Sequence, residues 1–333
     1  MEQHTPVDPA TRRAVIAGAL SKIREHYVFP TTAEKIAAST QQRVHDGEYD
    51  TITTAEMLTQ QLTLHLQEIS QDKHLRLFYT PEELPDRNEH ERPAPKWWDE
   101  SWPFQNFGFE KVERLPGNIG YLDFRAFYPP EFAGDVTIAA MNFFAHTSAL
   151  IIDLRKNGGG DPALVALLCS YFFDAEPVHL NSLYWRASDS TQQYWTLPYV
   201  PGKRYLNKPL YILTSRETFS GAEEFTYNLK NLKRATVIGE VTGGGAHPGD
   251  FYKVHSHYGV FIPTGRAISP ITGTNWEGSG VIPDIEMSQD QALKVAHVLA
   301  LKHLLESMGD NPAGAQQCLV NEAKDALAEL EQK

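Results

Sequence analysis

Ser220 lies in the stretch "TSRETFSGAEEF", between the apolar run "PLYIL" and the first turn of a predicted helix. A hydroxyl placed there sits at the C-terminal edge of a buried strand, close to the backbone N–H groups that a helix start leaves unpaired. Those donors suit a nucleophile. They would hold the oxyanion formed when Ser220 attacks a carbonyl, a contribution of about 2.7–4 kcal/mol per donor. Ser220 and Glu223 also match the S-x-x-E capping box, in which a serine is explained by helix capping alone, worth about 1 kcal/mol. The stretch is not a G-x-S-x-G elbow, because Thr218 and Ala222 occupy the glycine positions.

A second candidate is "DLRKNGGGD" (153–161), which also ends an apolar run and precedes a predicted helix. Three consecutive glycines let the backbone approach a ligand with no Cβ in the way. One of their N–H groups is expected to complete an oxyanion hole, although a plain turn explains the same glycines. Neither the G-x-x-x-x-G-K-[ST] nor the G-x-G-x-x-G spacing is present, so a nucleotide cofactor is not expected. His255 and His257 alternate on a predicted strand and face one side, but no third ligand accompanies them, and no metal is expected.

The elements that must position these stretches follow from hydrophobic periodicity. Residues 10–70 read as three helices. Val15, Ile16, Ala19, Leu20, Ile23 and Tyr27 keep helical spacing, a second helix starts near Thr32, and a third opens with Thr53 and Glu56 at capping-box spacing. The segment 80–116 is rich in proline and charge and carries Trp97, Trp98, Trp102 and Phe104, which predicts an irregular connection with aromatic anchors. From Asn118 strands and helices alternate: "IGYLDF", "AGDVTIAAMNFFAHT", "ALIIDLR", "PALVALLCSYFF", "PLYILTS", "GAEEFTYNLKNLK", "ATVIGE". This alternation predicts an α/β fold with helices covering a sheet. "FYKVHSHYGVFIPTG" reads as a hairpin and "QDQALKVAHVLALKHLLESM" as a closing amphipathic helix. The expected division is an N-terminal helical domain (1–79), an aromatic and proline-rich linker (80–117) and an α/β core domain (118–333).

Composition narrows the function classes. With 333 residues, 41% of them hydrophobic, the chain can bury a large core. A net charge of −12 disfavours a phosphate backbone, so nucleic acid is not an expected partner. Cys169 and Cys318 make neither a disulfide framework nor a zinc ligand set, and Cys169 reads as a small core residue. The N-terminus lacks the order of a secretory signal, and no apolar run approaches the roughly 20 residues that span a bilayer. A cytoplasmic location is expected for the chain as given, or a periplasmic or secreted one if a leader has been removed. Oligomeric state is not legible.

"GNIGYLDFRAF", "LIIDLRKNGGGD", "TSRETFSGAEEFTYNLKNLKRATVIGEVTGGGAHPG" and "NWEGSGVIPDIEM" occur in this order. Together they resemble the tail-specific, or C-terminal processing, serine peptidases, a family that includes the tricorn catalytic core and the interphotoreceptor retinoid-binding protein modules. The resemblance implies a ββα-spiral (ClpP/crotonase-like) catalytic core. The helical N-terminal segment ending "EISQDKHLRLFY" looks like that of the retinoid-binding-protein subgroup. In the family pattern Ser220 stands at the nucleophile position. The lysine base that bacterial members carry after "GE.T.G" falls on Gly245 here, so a Ser-Lys dyad is absent. The tricorn pattern instead implies His74 of "DKHL" as general base, with Lys73 where tricorn has a serine, and Glu277 of "NWEGSGVIPD" as the orienting carboxylate. His247, in "GGGAHPG", is the rival base or a substrate-pocket residue. The oxyanion hole is implied at the N–H of Gly221 and of Gly159, with Gly158 as the second choice.

One departure from the family and one of its subgroups bear on substrate. No PDZ domain fits between His74 and Asp153, an interval filled by the linker and the first strand and helix of the core, so a peptide or general peptidase substrate is expected rather than tail-specific capture. The related retinoid-binding modules imply an alternative, a non-catalytic binding module for a retinoid or fatty acid in the former catalytic cleft. Retention of serine, histidine and glutamate together favours the serine peptidase.

Overall fold

The computed structural model describes residues 5–86, 102–309 and 312–332; Trp97 and Trp98 of the linker fall outside them. The chain forms two compact units.

In the first unit, helix α1 (Pro9–His26) starts at a proline whose missing N–H costs nothing in the first turn, and Asp8 Oδ1 accepts the N–H groups of Ala10 (2.8 Å) and Thr11 (2.9 Å). Helix α2 (Pro30–His45) also begins at proline. Helix α3 (Ala55–Ser70) is capped by Thr54, whose hydroxyl accepts the Met57 N–H at 3.2 Å. The cap is therefore one residue later than the Thr53–Glu56 spacing predicts, and Glu56 Oε1 instead accepts the N–H of Thr5 at 3.4 Å. Strand β1 (Arg76–Tyr79) follows α3 and pairs antiparallel with β10 (Tyr258–Pro263), which pairs with β9 (Gly249–His255). Val260 and Ile262 of β10 pack into one core with Ile16, Ile23, Leu58 and Leu62. The hairpin thus joins the N-terminal helices, because its alternating apolar residues complete their core. The unit comprises the N-terminal segment together with Ser182–Gln192 and Gly245–Ile268.

In the second unit a six-stranded sheet has the order β12-β8-β7-β4-β3-β2. Its strands are β2 (Phe109–Leu115), β3 (Ile119–Phe124), β4 (Ala149–Asp153), β7 (Leu210–Thr214), β8 (Thr236–Gly239) and β12 (Ile285–Glu286). All neighbours are parallel except β2 with β3. Every residue of β4 and β7 is buried, as continuous apolar strands covered on both faces require. The pleat divides them cleanly. Leu150, Ile152, Leu210 and Ile212 face helices α4 (Pro130–Phe144), α5 (Pro162–Ser170) and α6 (Gly221–Asn231). Ala149, Ile151, Tyr211 and Leu213 face α7 (Gln289–Met308) and α8 (Ala315–Gln332). The fold is α/β, with a mostly parallel sheet covered by helices. Trp102 anchors the end of the linker segment: it is buried, with its ring 4.7 Å from Tyr128 and 5.4 Å from Phe132.

This topology positions the candidate chemistry. Strands β4 and β7 are parallel neighbours, with Asp153 opposite Leu213, so the loops leaving their C-terminal ends emerge side by side. One carries "NGGGD" and the other Ser220.

Candidate active site

Ser220 has φ 53° and ψ −120°. An N-cap serine ordinarily takes extended φ and ψ, as Thr54 does at the start of α3 (φ −126°, ψ 155°). A non-glycine residue in this glycine-favoured region costs roughly 1–3 kcal/mol and persists only where its surroundings over-determine it. Capping does not require that cost, whereas a nucleophile turned out of a sharp strand-to-helix turn does.

The surroundings that hold Ser220 belong to the same unit. Glu223, fully buried, accepts the Ser220 N–H at 2.8 Å through Oε2. Its Oε1 accepts the Thr242 hydroxyl at 2.5 Å and the Gly244 N–H at 2.6 Å. Thr242 in turn accepts the Val281 N–H at 2.7 Å, and Gly244 O accepts the Gly278 N–H at 3.1 Å. Glu223 is thus a clamp as well as a cap. The clamp reaches the loop of Glu277, a half-buried carboxylate whose N–H donates to Asn275 Oδ1 at 2.9 Å. Beside it Trp276 is buried, 5.2 Å from the ring of Tyr227 on α6.

The glycine loop packs directly against the serine. Gly159, at φ 104°, lies where a Cβ would stand 2.7 Å from both the Gly221 nitrogen and the Ser220 Cβ, so only glycine fits. Asn157 fixes this approach. Its backbone O accepts the Phe219 N–H (3.0 Å), its Nδ2 donates to Phe124 O (3.0 Å), and its Oδ1 accepts the Gly159 N–H (2.9 Å). The Gly159 N–H named as an oxyanion donor therefore already has an acceptor, while Gly158 is exposed with open space at its Cβ position. Asn157→Ala removes the side-chain bonds to Phe124 and Gly159 and leaves the backbone bond to Phe219 in place. It is expected to lower unfolding stability by about 1–3 kcal/mol in urea titrations and to slow acylation of Ser220 by about 10²-fold. Acylation at the wild-type rate would remove Asn157 from the positioning of the site.

In the first unit the turn after α3 gathers both histidines on one carboxylate. Gln71 ends the helix in a left-handed conformation (φ 56°), and Asp72 follows, fully buried. Asp72 Oδ1 accepts the backbone N–H of His74 at 3.0 Å; Oδ2 accepts the Tyr27 hydroxyl at 3.2 Å and lies 2.7 Å from His247 Nδ1. An imidazole donating from Nδ1 to this carboxylate presents Nε2 as an acceptor when neutral. His247 is buried against the edge of the Phe29 ring, at 5.3 Å. His74 is half-buried, 5.8 Å from the Phe261 ring. Burial pushes the His74 pKa down to about 4, against the opposing pull of Asp72 and with His247 and Arg76 adding to the fall. His74 is accordingly neutral at neutral pH, the protonation state a general base needs.

The model of the peptidase family S41 domain matches residues 118–287, just over half of the chain. The chain belongs to peptidase family S41. The N-terminal domain of S41 peptidases found in eukaryotic interphotoreceptor retinoid-binding protein matches residues 10–103. Among solved structures, a putative peptidase from Parabacteroides merdae superposes with a TM-score of 0.61 at 18% identity, covering 91% of this chain and 99% of the other. A lipoprotein from Streptococcus agalactiae gives 0.55 at 14% identity over 89% and 98%. The tricorn protease gives 0.50 at 13% identity, covering 94% of this chain and 37% of its own. These three likenesses are to the fold.

Within this S41 chain the second unit brings Ser220, Gly221 and Gly159 together, and the first brings His74 and His247 onto Asp72. Asp72, Asn157 and Thr242 are residues that sequence reasoning missed. Asp72 had a local signal, two positions before His74 in "DKHL". Asn157 stands within "NGGGD", but its bond to Phe124 O, like those of Thr242 to Glu223 and Val281, reaches a segment distant in sequence and leaves no local signal. No helix among the described residues is long and apolar enough to cross a membrane.

Proposed function

We propose that this S41 chain is a serine peptidase that cuts peptide bonds through an acyl-enzyme on Ser220. The observation that carries the reading is the backbone of Ser220 at φ 53°, held by the buried Glu223 with Gly159 pressed against it. In this reading His74 takes the hydroxyl proton as Ser220 attacks the scissile carbonyl and returns it to the departing amine; water then repeats the cycle on the ester. Glu277 orients the base. The Gly221 N–H, at the start of α6, and an N–H of the glycine loop stabilise the oxyanion, with Gly158 favoured over Gly159 by the bond that Asn157 makes. The substrate is a peptide or protein.

One observation supports a second assignment of the base: the 2.7 Å contact between His247 Nδ1 and Asp72, the geometry of a histidine–carboxylate pair. His74 is preferred because it is the less buried ring and so the better placed to meet a substrate. The decisive experiment is covalent labelling of the full chain by a fluorophosphonate. Labelling is expected at one site and is expected to vanish in Ser220→Ala; equal labelling of both proteins would overturn the acyl-enzyme.

A further inference from the structure

Helix α6 carries two polar side chains inward beyond the serine. Glu224, whose N–H donates to Ser220 O at 2.9 Å, lies one turn from it, and Asn228 lies a further turn along the same face. They are 5% and 2% exposed, and Asn181 of strand β5 (His179–Trp185), beside Glu224, is fully buried. Among the described residues no hydrogen bond of normal geometry reaches Glu224 Oε1 or the polar side-chain atoms of Asn181 and Asn228, although the Asn181 amide lies near enough to Glu224 to favour its charged form. Apolar residues of the same size would satisfy the fold better, because buried polar groups are normally paired.

The charges around this cluster have one sign. Asp161, two residues past Gly159, acts on Glu224, and Glu131 acts on Asp161; among the described residues no cation contributes to either. Burial, with Asp161 adding to it and Asn181 opposing, pushes the Glu224 pKa up to about 8. The other titratable group facing it is Cys169 of α5, a thiol that burial and Glu224 push up and keep neutral. Exposure is graded from the loop inward. Gly160 is exposed, Asp161 half-buried, Glu224 nearly closed off and Asn181 fully so.

We propose that Asn181, Glu224 and Asn228 form the floor of a subsite for the cationic side chain of a substrate, lysine or arginine, next to the bond attacked by Ser220. An ammonium or guanidinium offers only donors, which match the carboxylate and the two amide oxygens, and it supplies the counter-charge that this cluster lacks. The placement next to the scissile bond rests on the peptidase reading; the cation site does not.

The test separates the two. Binding of agmatine, a small guanidine, to Ser220→Ala protein is measured by calorimetry, alongside the Ser220→Ala/Glu224→Gln double variant. Binding is expected, weakened at least tenfold by Glu224→Gln, which keeps the side-chain shape. A second readout needs no variant at Glu224. At pH 7 binding should release close to one proton, seen as a dependence of the heat on buffer ionisation, because the cation draws Glu224 into its charged form. Peptides with lysine or arginine before the scissile bond should be cleaved at least tenfold faster than leucine peptides. No agmatine binding, or binding indifferent to Glu224→Gln and without proton release, overturns the subsite even if Ser220 is labelled. Glu224-dependent binding in a protein whose Ser220 is never labelled would keep the cation site and remove the peptidase reading.

Discussion

His74→Ala is expected to slow fluorophosphonate acylation of Ser220 by about 10⁴-fold or more, the scale on which serine hydrolases lose rate without their base. His247→Ala should cost far less, through the loss of one partner of Asp72 and the loosened turn that holds His74. The pH profile adds a signature that a structural role would not produce. A histidine of ordinary pKa near 6.5 loses its basic form as pH falls below that value. With its pKa pushed down to about 4, His74 stays neutral, so labelling should hold nearly level from pH 7 to about 5 and collapse only near 4. The same shift acts on stability with a definite sign. The unfolded chain binds a proton at this histidine below about 6.5, and the folded chain only near 4. Stability should therefore fall as pH drops from 6.5 towards 4, and His74→Ala should flatten that slope. If His247→Ala abolishes labelling while His74→Ala leaves it intact, the base is His247 with Asp72 as its orienting carboxylate.

The sequence carried the second unit well because its elements announce themselves locally. "ALIID" and "LYILT" are uninterrupted apolar runs, and only a strand covered on both faces accommodates that pattern. Their adjacency, which places the glycine loop beside Ser220, follows from the strand–helix alternation. The membership of the hairpin did not follow. "FYKVHSHYGVFIPTG" is legible as two strands, but its pairing with Arg76–Tyr79 and its burial against α1 and α3 are contacts of long sequence separation. Local pattern says what an element is and is silent on which core it completes. The site divides in the same way. Ser220 and its glycine partner were visible as strand-end loops, whereas the strained φ of Ser220, the Asn157 hub and the polar floor of Glu224 depend on groups brought from elsewhere in the chain.

Glu223 shows what that difference is worth. The sequence reads it as the fourth residue of a capping box, a motif whose N-cap side chain is worth about 1 kcal/mol. In the structure it is fully buried and accepts from Ser220, Thr242 and Gly244 at 2.8, 2.5 and 2.6 Å. Glu223→Ala leaves three donors without this partner in a space closed to water, at about 1–3 kcal/mol for each one orphaned. A loss of about 4 kcal/mol in urea unfolding is therefore expected, well beyond the cost of a cap. The Ser220 backbone is the part with most to lose, since φ 53° relaxes toward ordinary values once its N–H is released. Glu223→Gln isolates that effect. It retains one acceptor oxygen but turns an NH₂ toward a donor, so it should fold with a smaller stability loss while acylation of Ser220 drops by about 10²-fold. Wild-type acylation in Glu223→Gln, together with a loss of only about 1 kcal/mol in Glu223→Ala, would reduce Glu223 to a helix cap. It would also leave the strain at Ser220 without its cause.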